Sequence, residues 1–571
     1  TVKNVIGMYG KGSGTNVTNM ENINLSKENS TGIFTKDDAV AKNETGANIN
    51  LEEKNSVGIF GLASAAGKKI DLTNNGIVTL KGEGSTGIFA SNVENPVGSG
   101  IYTGALTNSS VKNTGTITLD AKKTVGIYTP KSNISKVGNI IMTNKADSSV
   151  GVYLTQDAKA DGTSSVIDLN SNSQNQVAYY IKGKGTISNS IGNIKGYGVG
   201  VYLDGTDTAL ATPAQLNAPA LDFVSGSSTQ GKGIIGLLLK GNTDISTYSG
   251  GIKVGDSALG GNSGDFYAIG IYTDGQGIPG TPATQTTPRV LGTPKTISTA
   301  ITTGANGVGL FAENSSNITY TGTMNIGANK VAGTGIYVGN GGTKASEVTI
   351  ASGATINLKG SNGVGAIVTT GATVDFQSGA KIEFGGDGVG IFAQKGGHII
   401  DNGGTLVTNK HSVERTRVTE GSSETAHDLT VAIGNALDTG NILSHVINGE
   451  AIIQTGVTVE AKPSTENIIG LMADGNSNPG LPWVGTSGYD AENRGKLDLS
   501  NAETSTAMYL DSSRGLNSKD ILVGNKSTGI YGIYKNSTPV YSNAPAGTVN
   551  KGTITTTANS KITIGNESSA I

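Results

Sequence analysis

The sequence Ser30-Thr31-Gly32-Ile33-Phe34 returns unchanged as Ser85-Thr86-Gly87-Ile88-Phe89, and Gly58-Ile59-Phe60 lies between the two copies. The step from Gly32 to Gly58 is 26 residues, and other steps, such as Gly126 to Gly151, are 25 residues. A fixed period of this length is typical of proteins built from stacked supersecondary units. The triplet of glycine, aliphatic and aromatic residues begins at Gly7, Gly32, Gly58, Gly87, Gly126, Gly151, Gly200, Gly270, Gly309, Gly335, Gly390 and Gly529.

A second element precedes the glycine at a constant distance. Ile49-Asn50-Leu51 begins nine residues before Gly58, and Ile117-Thr118-Leu119 begins nine residues before Gly126. Alternation of apolar and polar residues indicates a half-buried strand. Each repeat therefore contains at least two short strands and cannot bury its own apolar face, so successive repeats must stack. The sequence predicts an all-β, single-chain parallel β-helix (β-solenoid), since a propeller blade needs about 40 to 50 residues.

The glycine and the aromatic residue of the triplet have separate expected roles. The glycine permits a positive φ or a close approach of two backbones. We expect the aromatic ring, two positions later, to point inward and to stack on the ring of the next coil. The residues predicted to form these repeated columns include Gly32, Phe34, Gly58, Phe60, Gly87, Phe89, Gly126, Tyr128, Gly335, Tyr337, Gly390 and Phe392.

The composition narrows the class of protein further. The 41 basic and 44 acidic residues give a net charge of -3, so the chain has no excess of positive charge for binding nucleic acid. Cysteine is absent from 571 residues, which is consistent with passage through an oxidising compartment. We find no leader sequence and no apolar run near 18 residues. We expect one continuous β-helical fragment, residues 1–571, of a longer secreted protein.

Steps longer than 26 residues mark insertions that leave the coils. Four prolines in one of them, between Gly270 and Gly309, cannot donate to a strand ladder. A segment with all four histidines contains Thr425-Ala426-His427-Asp428, which has the spacing of a capping box. This segment forms either a short helix near 425–438 or an irregular coil of the β-helix whose strand passes through Val431-Ala432-Ile433. The predicted insertions are 203–233, 273–305, 398–448, 473–496, 511–525 and 532–550.

Residues for catalysis or metal binding do not converge in the sequence. Gly255-Asp256-Ser257 resembles the nucleophile turn of chymotrypsin-like proteases, but the histidine base of that family precedes the serine, and the first histidine here is His398. The histidines lie 13, 16 and 18 residues apart, which does not match a zinc motif. Outward acids occur singly, at Asp71, Asp120 and Asp168. We expect no enzyme, no cofactor and no metal, with a glycan-cleaving β-helix as the alternative.

Binding residues are sought where the insertions carry the side chains that dominate interfaces. Such hot spots favour Trp, Tyr and Arg. Residues 473–496 contain Trp483, the single tryptophan, and Tyr489, and residues 398–448 contain Arg415 and Arg417. These four are the candidate ligand-binding residues. The alternatives are that Trp483 folds back onto the coils, or that the chain is a structural spacer whose binding region lies elsewhere.

The repeats resemble the passenger regions of large fusobacterial type V autotransporter adhesins. The resemblance rests on Ser30–Phe34, Ser85–Phe89 and Asn306–Phe311, with strands of the type Asn113–Leu119, and it covers essentially the whole chain. It implies a right-handed parallel β-helix at the cell surface, anchored only through a C-terminal outer-membrane barrel outside this chain. It also implies a virulence role in attachment to host-cell protein receptors, to glycans or to other bacteria. It carries over no individual binding residue.

Overall fold

The computed structural model describes residues 4–571 apart from 65–66, 92–108, 131, 156, 170–174, 190–192, 207–212, 225–229, 262–263, 276–294, 340–344, 409–410, 420–422, 427–429, 434–441, 448, 464, 475–488 and 534–552. Every regular element in these residues is a β-strand, and the long sheets are parallel. The predicted all-β parallel β-helix is therefore confirmed. In the same residues no helix has the length and apolar character needed to span a membrane.

The chain divides into two compact units, 1–272 with 277–282 and 273–276 with 283–571. The strands up to the division are β1 (Ile6–Lys11), β2 (Asn16–Asn19), β3 (Asn22–Leu25), β4 (Thr31–Lys36), β5 (Val40–Asn43), β6 (Asn48–Leu51), β7 (Val57–Leu62), β8 (Asp71–Asn74), β9 (Ile77–Leu80), β10 (Thr86–Ser91), β11 (Ser110–Asn113), β12 (Thr116–Leu119), β13 (Val125–Pro130), β14 (Asn133–Lys136), β15 (Asn139–Met142), β16 (Val150–Thr155), β17 (Lys159–Asp161), β18 (Val166–Asp168), β19 (Val177–Lys182), β20 (Lys184–Ser188), β21 (Asn193–Lys195), β22 (Gly198–Gly205), β23 (Ala214–Asn217), β24 (Leu221–Asp222), β25 (Ile234–Gly241), β26 (Thr243–Asp244), β27 (Ile252–Lys253), β28 (Ala258–Gly261), β29 (Gly264–Phe266) and β30 (Ile269–Asp274).

The first unit contains three strands per coil through most of its length. Every third strand pairs in parallel with its counterpart one coil away, so three sheets run side by side. The sheet of β1, β4, β7, β10, β13, β16, β19, β22 and β25 carries the glycine triplets. We call its outer surface the ring face. β28 and β29 form an antiparallel hairpin.

The second unit repeats this arrangement. Its strands are β31 (Lys295–Ile297), β32 (Ile301–Thr302), β33 (Val308–Glu313), β34 (Asn317–Tyr320), β35 (Thr323–Ile326), β36 (Thr334–Val338), β37 (Glu347–Ile350), β38 (Thr355–Leu358), β39 (Gly363–Thr369), β40 (Thr373–Gln377), β41 (Lys381–Phe384), β42 (Gly388–Gln394), β43 (His398–Asn402), β44 (Thr405–Val407), β45 (Val413–Thr419), β46 (Ser423–Ala426), β47 (Thr430–Ile433), β48 (Ile442–Ile447), β49 (Glu450–Ile453), β50 (Thr458–Ala461), β51 (Thr465–Glu466), β52 (Ile469–Asp474), β53 (Ala491–Asn493), β54 (Lys496–Leu499), β55 (Ala502–Glu503), β56 (Thr506–Asp511), β57 (Arg514–Asn517), β58 (Ile521–Val523), β59 (Thr528–Ile533), β60 (Thr553–Thr556) and β61 (Ile562–Thr563). The ring face of this unit is formed by β33, β36, β39, β42, β45, β48, β52, β56 and β59.

The triplet glycines stack in one column, as predicted. A Cβ built on Gly32 would lie 2.6 Å from the carbonyl oxygen of Gly58, and one on Gly58 would lie 2.6 Å from that of Gly87. The same close approach continues at Gly126 and Gly151. None of these glycines has a positive φ. Glycine is needed because the backbones approach closely, and not because of a left-handed turn.

The aromatic rings also stack, but the prediction that they point inward is wrong. In β7 both Gly58 and Ile59 are buried, while Phe60 is only half-buried. Two consecutive residues face the interior here because the first has no side chain, and the ring that follows faces outward. Phe60 lies between Phe34 and Phe89, with ring centroids 4.9 and 5.0 Å apart and planes tilted by 13° and 8°. We call this outer stack the ring column.

A buried ladder of asparagines runs through the corner after the second strand of the first four coils. Asn43 accepts a hydrogen bond from Asn19 and donates one to Asn74, both at 2.8 Å between nitrogen and oxygen. Asn74 donates to Asn113 at 2.7 Å, and Asn113 donates to the carbonyl of Val137. Each side-chain amide thereby satisfies its neighbour without water.

The predicted helix near 425–438 is wrong where the structure describes it. Residues 425–426 belong to β46 and residues 430–433 form β47, so the alternative of a coil through Val431-Ala432-Ile433 is confirmed. The rest of 425–438 lies outside the described residues. β46 pairs with β43 and β49, and β47 pairs with β50. These ladders satisfy backbone groups on adjacent coils and outweigh a local capping signal.

Strands occupy parts of several predicted insertions, including β23 and β24 in 203–233, β43 to β48 in 398–448, and β57 and β58 in 511–525. The proline-rich residues 276–294, and residues 475–488 and 534–552, lie outside the described part of the chain.

The outward position of the ring column predicts an order of stability effects. Ile59 is fully buried, so Ile59→Ala should cost about 2–5 kcal/mol of local unfolding free energy. Phe60→Ala removes a half-exposed ring and should cost less than Ile59→Ala, and less than the about 3–5 kcal/mol of a buried ring. Hydrogen exchange of β4, β7 and β10 measures both. A larger effect of Phe60→Ala, or exchange that rises uniformly along the chain, would contradict the assignment.

The asparagine ladder gives a second prediction with a matched control. Asn43→Ala leaves one buried N–H of Asn19 and the buried side-chain oxygen of Asn74 without their partner and should cost about 1–3 kcal/mol. Asn48 donates a 2.7 Å hydrogen bond to Asn22 on the exposed surface, and Asn48→Ala should stay within about 0.5 kcal/mol of the parent chain. Local hydrogen exchange compares the two variants. If the two variants lost the same unfolding free energy, burial would not add to the stability that the asparagine hydrogen bonds provide.

Candidate functional site

The ring column is interrupted on the ring face of the second unit. It begins regularly, with Phe311 and Tyr337 stacked at 4.5 Å between ring centroids. Three consecutive coils then carry Arg417, His445 and Met472 at the ring position. The residues in register along the column are Phe311, Tyr337, Ile367, Phe392, Arg417, His445, Met472, Tyr509 and Tyr531. The interruption marks where this face departs from its repeat.

Arg415 occupies the position that glycine holds in the coil before it. Val389 pairs with Glu414 and Ile391 pairs with Thr416, so Arg415 aligns with Gly390. Because this position faces inward, the Arg415 side chain enters the interior and is only 5% exposed. There it is an interior residue and presents no surface to a partner.

The Arg415 guanidinium is held by the buried carboxylate of Asp401. Nε donates to Oδ2 at 2.5 Å and Nη2 donates to Oδ1 at 2.8 Å, while Nη2 also donates to the carbonyl of Gly404. Asp401 is in register with Phe376 of the preceding coil. At this interior position the aromatic ring of one coil is therefore followed by the shorter aspartate side chain of the next. The guanidinium carbon lies 5.5 Å from the Phe376 ring centroid. The arginine thus fills volume that the shorter aspartate leaves.

Arg417, two residues later, faces outward and forms a network with Glu414 and His445. Its Nε donates to Glu414 Oε2 at 2.6 Å and its Nη2 donates to Oε1 at 2.7 Å. His445 Nδ1 lies 3.3 Å from the same Oε1. The Arg417 guanidinium carbon also lies over the ring of Phe392, 6.0 Å from its centroid. This bidentate pairing fixes the plane and direction of the guanidinium.

Both members of the ion pair remain charged at neutral pH. Burial opposes the charged form of Glu414, but hydrogen bonds from His445 and Arg417, with the charge of Arg417, outweigh it and hold its pKa below the ordinary value. The hydrogen bonds to Glu414 raise the pKa of Arg417, although partial burial acts in the opposite direction. The pair is therefore a stable, oriented feature of the surface.

A groove of about 360 Å³ opens beside Arg417. Its lining includes the aliphatic side chains of Val364, Val389 and Ile442. Glu414 lines the groove as well, in register between Val389 and Ile442. Phe392 and Arg417 bound it on the side of the ring column. We call this feature the Arg417 groove. It spans the coils of β39, β42, β45 and β48, so its lining comes from four successive repeats.

The opposite side of the Arg417 groove is polar. It contains Asn362, Asp387 and Ser412, which precede the strands of three successive coils. Asp387 Oδ1 accepts a hydrogen bond from the Ser412 backbone N–H at 2.8 Å and lies 4.0 Å from His411 Nδ1. The Asp387 side chain remains 66% exposed. The groove is thus lined by the exposed carboxylate of Asp387 and by the ion pair of Arg417 and Glu414.

The arrangement suits binding through directed hydrogen bonds. A guanidinium carries five N–H groups, and Glu414 accepts from two of them. The remaining N–H groups lie on Nη1 and Nη2, which form the outer edge of the fork. The Arg417 side chain is 37% exposed, so water or a ligand can reach this edge.

The structure separates the four predicted ligand-binding residues. Arg417 borders the groove, whereas Arg415 lies inside the coil. Tyr489 is half-buried and precedes β53, a strand of another sheet, and it does not line the groove. Trp483 lies outside the described residues. Of the predicted set, Arg417 is the residue around which a site is built.

Sequence reasoning missed Glu414, His445, Asp387 and Asp401. An alignment of Val413-Glu414-Arg415-Thr416-Arg417 with Gly388-Val389-Gly390-Ile391-Phe392 would have revealed Glu414, which takes the outward position of Val389. That alignment places Arg415 at the inward glycine position and Arg417 at the outward ring position. An arginine that faces inward is expected to pair with a buried acid. The alignment does not identify that acid as Asp401, because Asp401 belongs to a strand of another sheet.

Acidic side chains elsewhere do not assemble into a metal site in the described parts of the chain. There, no group of three or more His, Asp and Glu side chains is close enough to hold a metal ion. Asp71 and Asp168 lie on β8 and β18, in two different sheets of the first unit. Asp120 accepts a hydrogen bond from Thr143 at 2.6 Å and pairs with Lys145 at 3.2 Å.

Comparison of the chain with protein-family models gave no match, and comparison with curated proteins gave no match either.

The lowered pKa of Glu414 predicts how the site responds to acid. A carboxyl group with a depressed folded-state pKa stabilises the fold above its ordinary value of 4.5, and loses that contribution as pH falls through the folded-state pKa. Glu414→Gln should therefore raise the local hydrogen exchange of β45 and β48 relative to the parent chain at pH 6 to 7. The difference should shrink as the pH falls below 4.5. A difference that grows in acid would contradict the assignment.

Proposed function

We propose that this chain is a surface-exposed bacterial adhesin passenger, which attaches to host-cell protein receptors or glycans, or to other bacteria, without catalysis. The observation that carries the proposal is the interruption of the ring column at Arg417, His445 and Met472. Before and after it along the chain the ring position carries apolar or aromatic residues, Ile367 and Phe392 before it and Tyr509 and Tyr531 after it. A departure that faces outward and opens a groove is where recognition of a partner is expected.

The repeated columns serve stability and leave little for recognition. Phe34, Phe60 and Phe89 stack face to face, so the ring faces are occupied by neighbouring rings and mainly edges reach the surface. The buried asparagines and serines likewise satisfy one another from coil to coil. A binding site therefore needs a position at which the columns are broken.

The groups in the Arg417 groove support binding over bond cleavage. Acid–base cleavage of a glycan uses two carboxyl groups that flank the scissile bond. Both oxygens of Glu414 already accept hydrogen bonds from Arg417, and Asp387 lies at the opposite side of the groove. One carboxylate is therefore left to face a ligand. This distribution favours recognition, and it is why the glycan-cleaving alternative is not preferred.

The resemblance of the repeats to autotransporter passengers supports a cell-surface location and a role in virulence. A parallel β-helix is suited to such a role, because coils that contact mainly their neighbours can be added without changing the rest. Residues in one coil can then change without altering the fold of the other coils. The alternative of a pure spacer predicts no binding by this chain.

Attachment can be measured with beads that carry the purified 571-residue chain. Coated beads should adhere to host epithelial cells or to partner bacteria above albumin-coated beads, and soluble chain should compete in a saturable manner. The same preparation should release no reducing ends from host glycans. Absence of adhesion at matched coating density would overturn the proposal, and release of reducing ends would favour the enzyme alternative.

A further inference from the structure

We propose that the Arg417 groove binds a sugar ring that carries a carboxylate, such as a terminal sialic or uronic acid of a glycan. This inference rests on the proposed function and names the ligand class at one site. It depends on three features of the groove: the oriented guanidinium of the Arg417–Glu414 pair, the polar side opposite to it, and the aliphatic side chains of the lining. Each feature corresponds to one part of such a ring.

The guanidinium of Arg417 has N–H groups that can donate to the carboxylate of a ligand. Glu414 accepts from Nε and from one N–H of Nη2, which leaves the outer edge, Nη1 and Nη2, directed away from Glu414. A planar fork of two parallel N–H groups matches the two oxygens of a carboxylate. Because the Glu414 pair already fixes the side chain, less rotational freedom remains to be lost when a ligand binds.

Glu414 is a positioning residue in this scheme. His445 Nδ1 lies 3.3 Å from Oε1 of its carboxylate, the oxygen that also accepts from Arg417 Nη2, and the Glu414 side chain is 16% exposed. Glu414 itself lines the groove, but hydrogen bonds from Arg417 to both of its oxygens hold its carboxylate against the guanidinium. Its charge neutralises that of Arg417 only in part at the outer edge, since the two Glu414 oxygens contact the opposite edge.

The polar side of the groove suits hydroxyl groups. Asn362 contributes a side-chain amide, and the Asp387 carboxylate is an acceptor. Sugar hydroxyls both donate and accept, so they can satisfy an amide and a carboxylate at once. The exposed position of Asp387 places it in water and salt, which screens its repulsion of an anionic ligand.

The aliphatic side chains of the lining suit the apolar edges of a sugar. Val364, Val389 and Ile442 present aliphatic side chains, and one face of Phe392 is covered by Arg417. A ring cannot stack on that covered face, so we expect contact with the aliphatic side chains. The volume of about 360 Å³ is of the order that holds a small ligand.

The test uses the full chain and a pair of ligands that differ only in charge. The ligands are the methyl α-glycoside of N-acetylneuraminic acid and the methyl ester of the same compound, with glucuronic acid as a second acidic ring. Affinity is measured by NMR titration at neutral pH. The acid should bind about tenfold more tightly than its ester, because the ester cannot pair with the guanidinium as an anion.

Variants locate the contact. Arg417→Gln should remove the preference for the acid, and Arg417→Lys should weaken it because an ammonium lacks the planar fork. Arg494 provides a matched control: it is 39% exposed, it pairs with Glu492 at 2.6 Å, and it does not line the groove. Arg494→Gln should leave the acid-to-ester ratio unchanged. Local hydrogen exchange of β42 and β45 confirms that each variant remains folded.

Several outcomes would overturn the inference. These are equal binding of acid and ester, no binding of either acid, or unchanged binding after Arg417→Gln. Equal competition by N-acetylaspartate would mean that a carboxylate alone is recognised and would overturn the assignment to a sugar. Bead adhesion is scored separately. Adhesion of the parent chain without recognition of acidic sugars rejects this ligand and retains the adhesin, whereas absence of adhesion by the parent chain rejects the adhesin itself.

Discussion

The structure depends on one constraint, which is that parallel strands stack in register from coil to coil. Hydrogen-bonded strands lie about 4.8 Å apart, so each side chain rests on the side chain of the same position in the next coil. The ring centroids of Phe34, Phe60 and Phe89 follow this spacing at 4.9 and 5.0 Å. The residue type at a position is therefore determined mainly by the residues at the same position in the adjacent coils, and less by its neighbours in sequence.

The constraint explains why different residue types solve the same problem at different positions. Glycine fills the column where a Cβ would meet the next backbone. Asparagine fills a buried corner, because its amide donates to one coil and accepts from another. Serine does so with its hydroxyl, as when Ser85 accepts the backbone N–H of Ser56. Polar groups can be buried repeatedly because each satisfies the next.

The candidate site arises where two columns change in the same strand. In β45 an inward glycine is replaced by Arg415, and an outward ring is replaced by Arg417. The inward change is balanced by Asp401 from another sheet, which keeps the interior filled and its charges paired. The outward change is balanced by Glu414 and opens a groove. The inward change thus alters the packing of the interior, and the outward change alters the surface of the same strand.

The sequence by itself determined the repeat, the all-β class and the stacked glycines, because period and alternation are local properties of the chain. It also located Arg417. It did not determine that Phe60 faces outward, since the simple alternation fails where glycine lets two successive residues turn inward. Nor did it show that Arg415 is buried, because that depends on its register with Gly390 and on Asp401, which another sheet supplies. Those contacts join residues from different strands and coils, and only the folded chain brings them together.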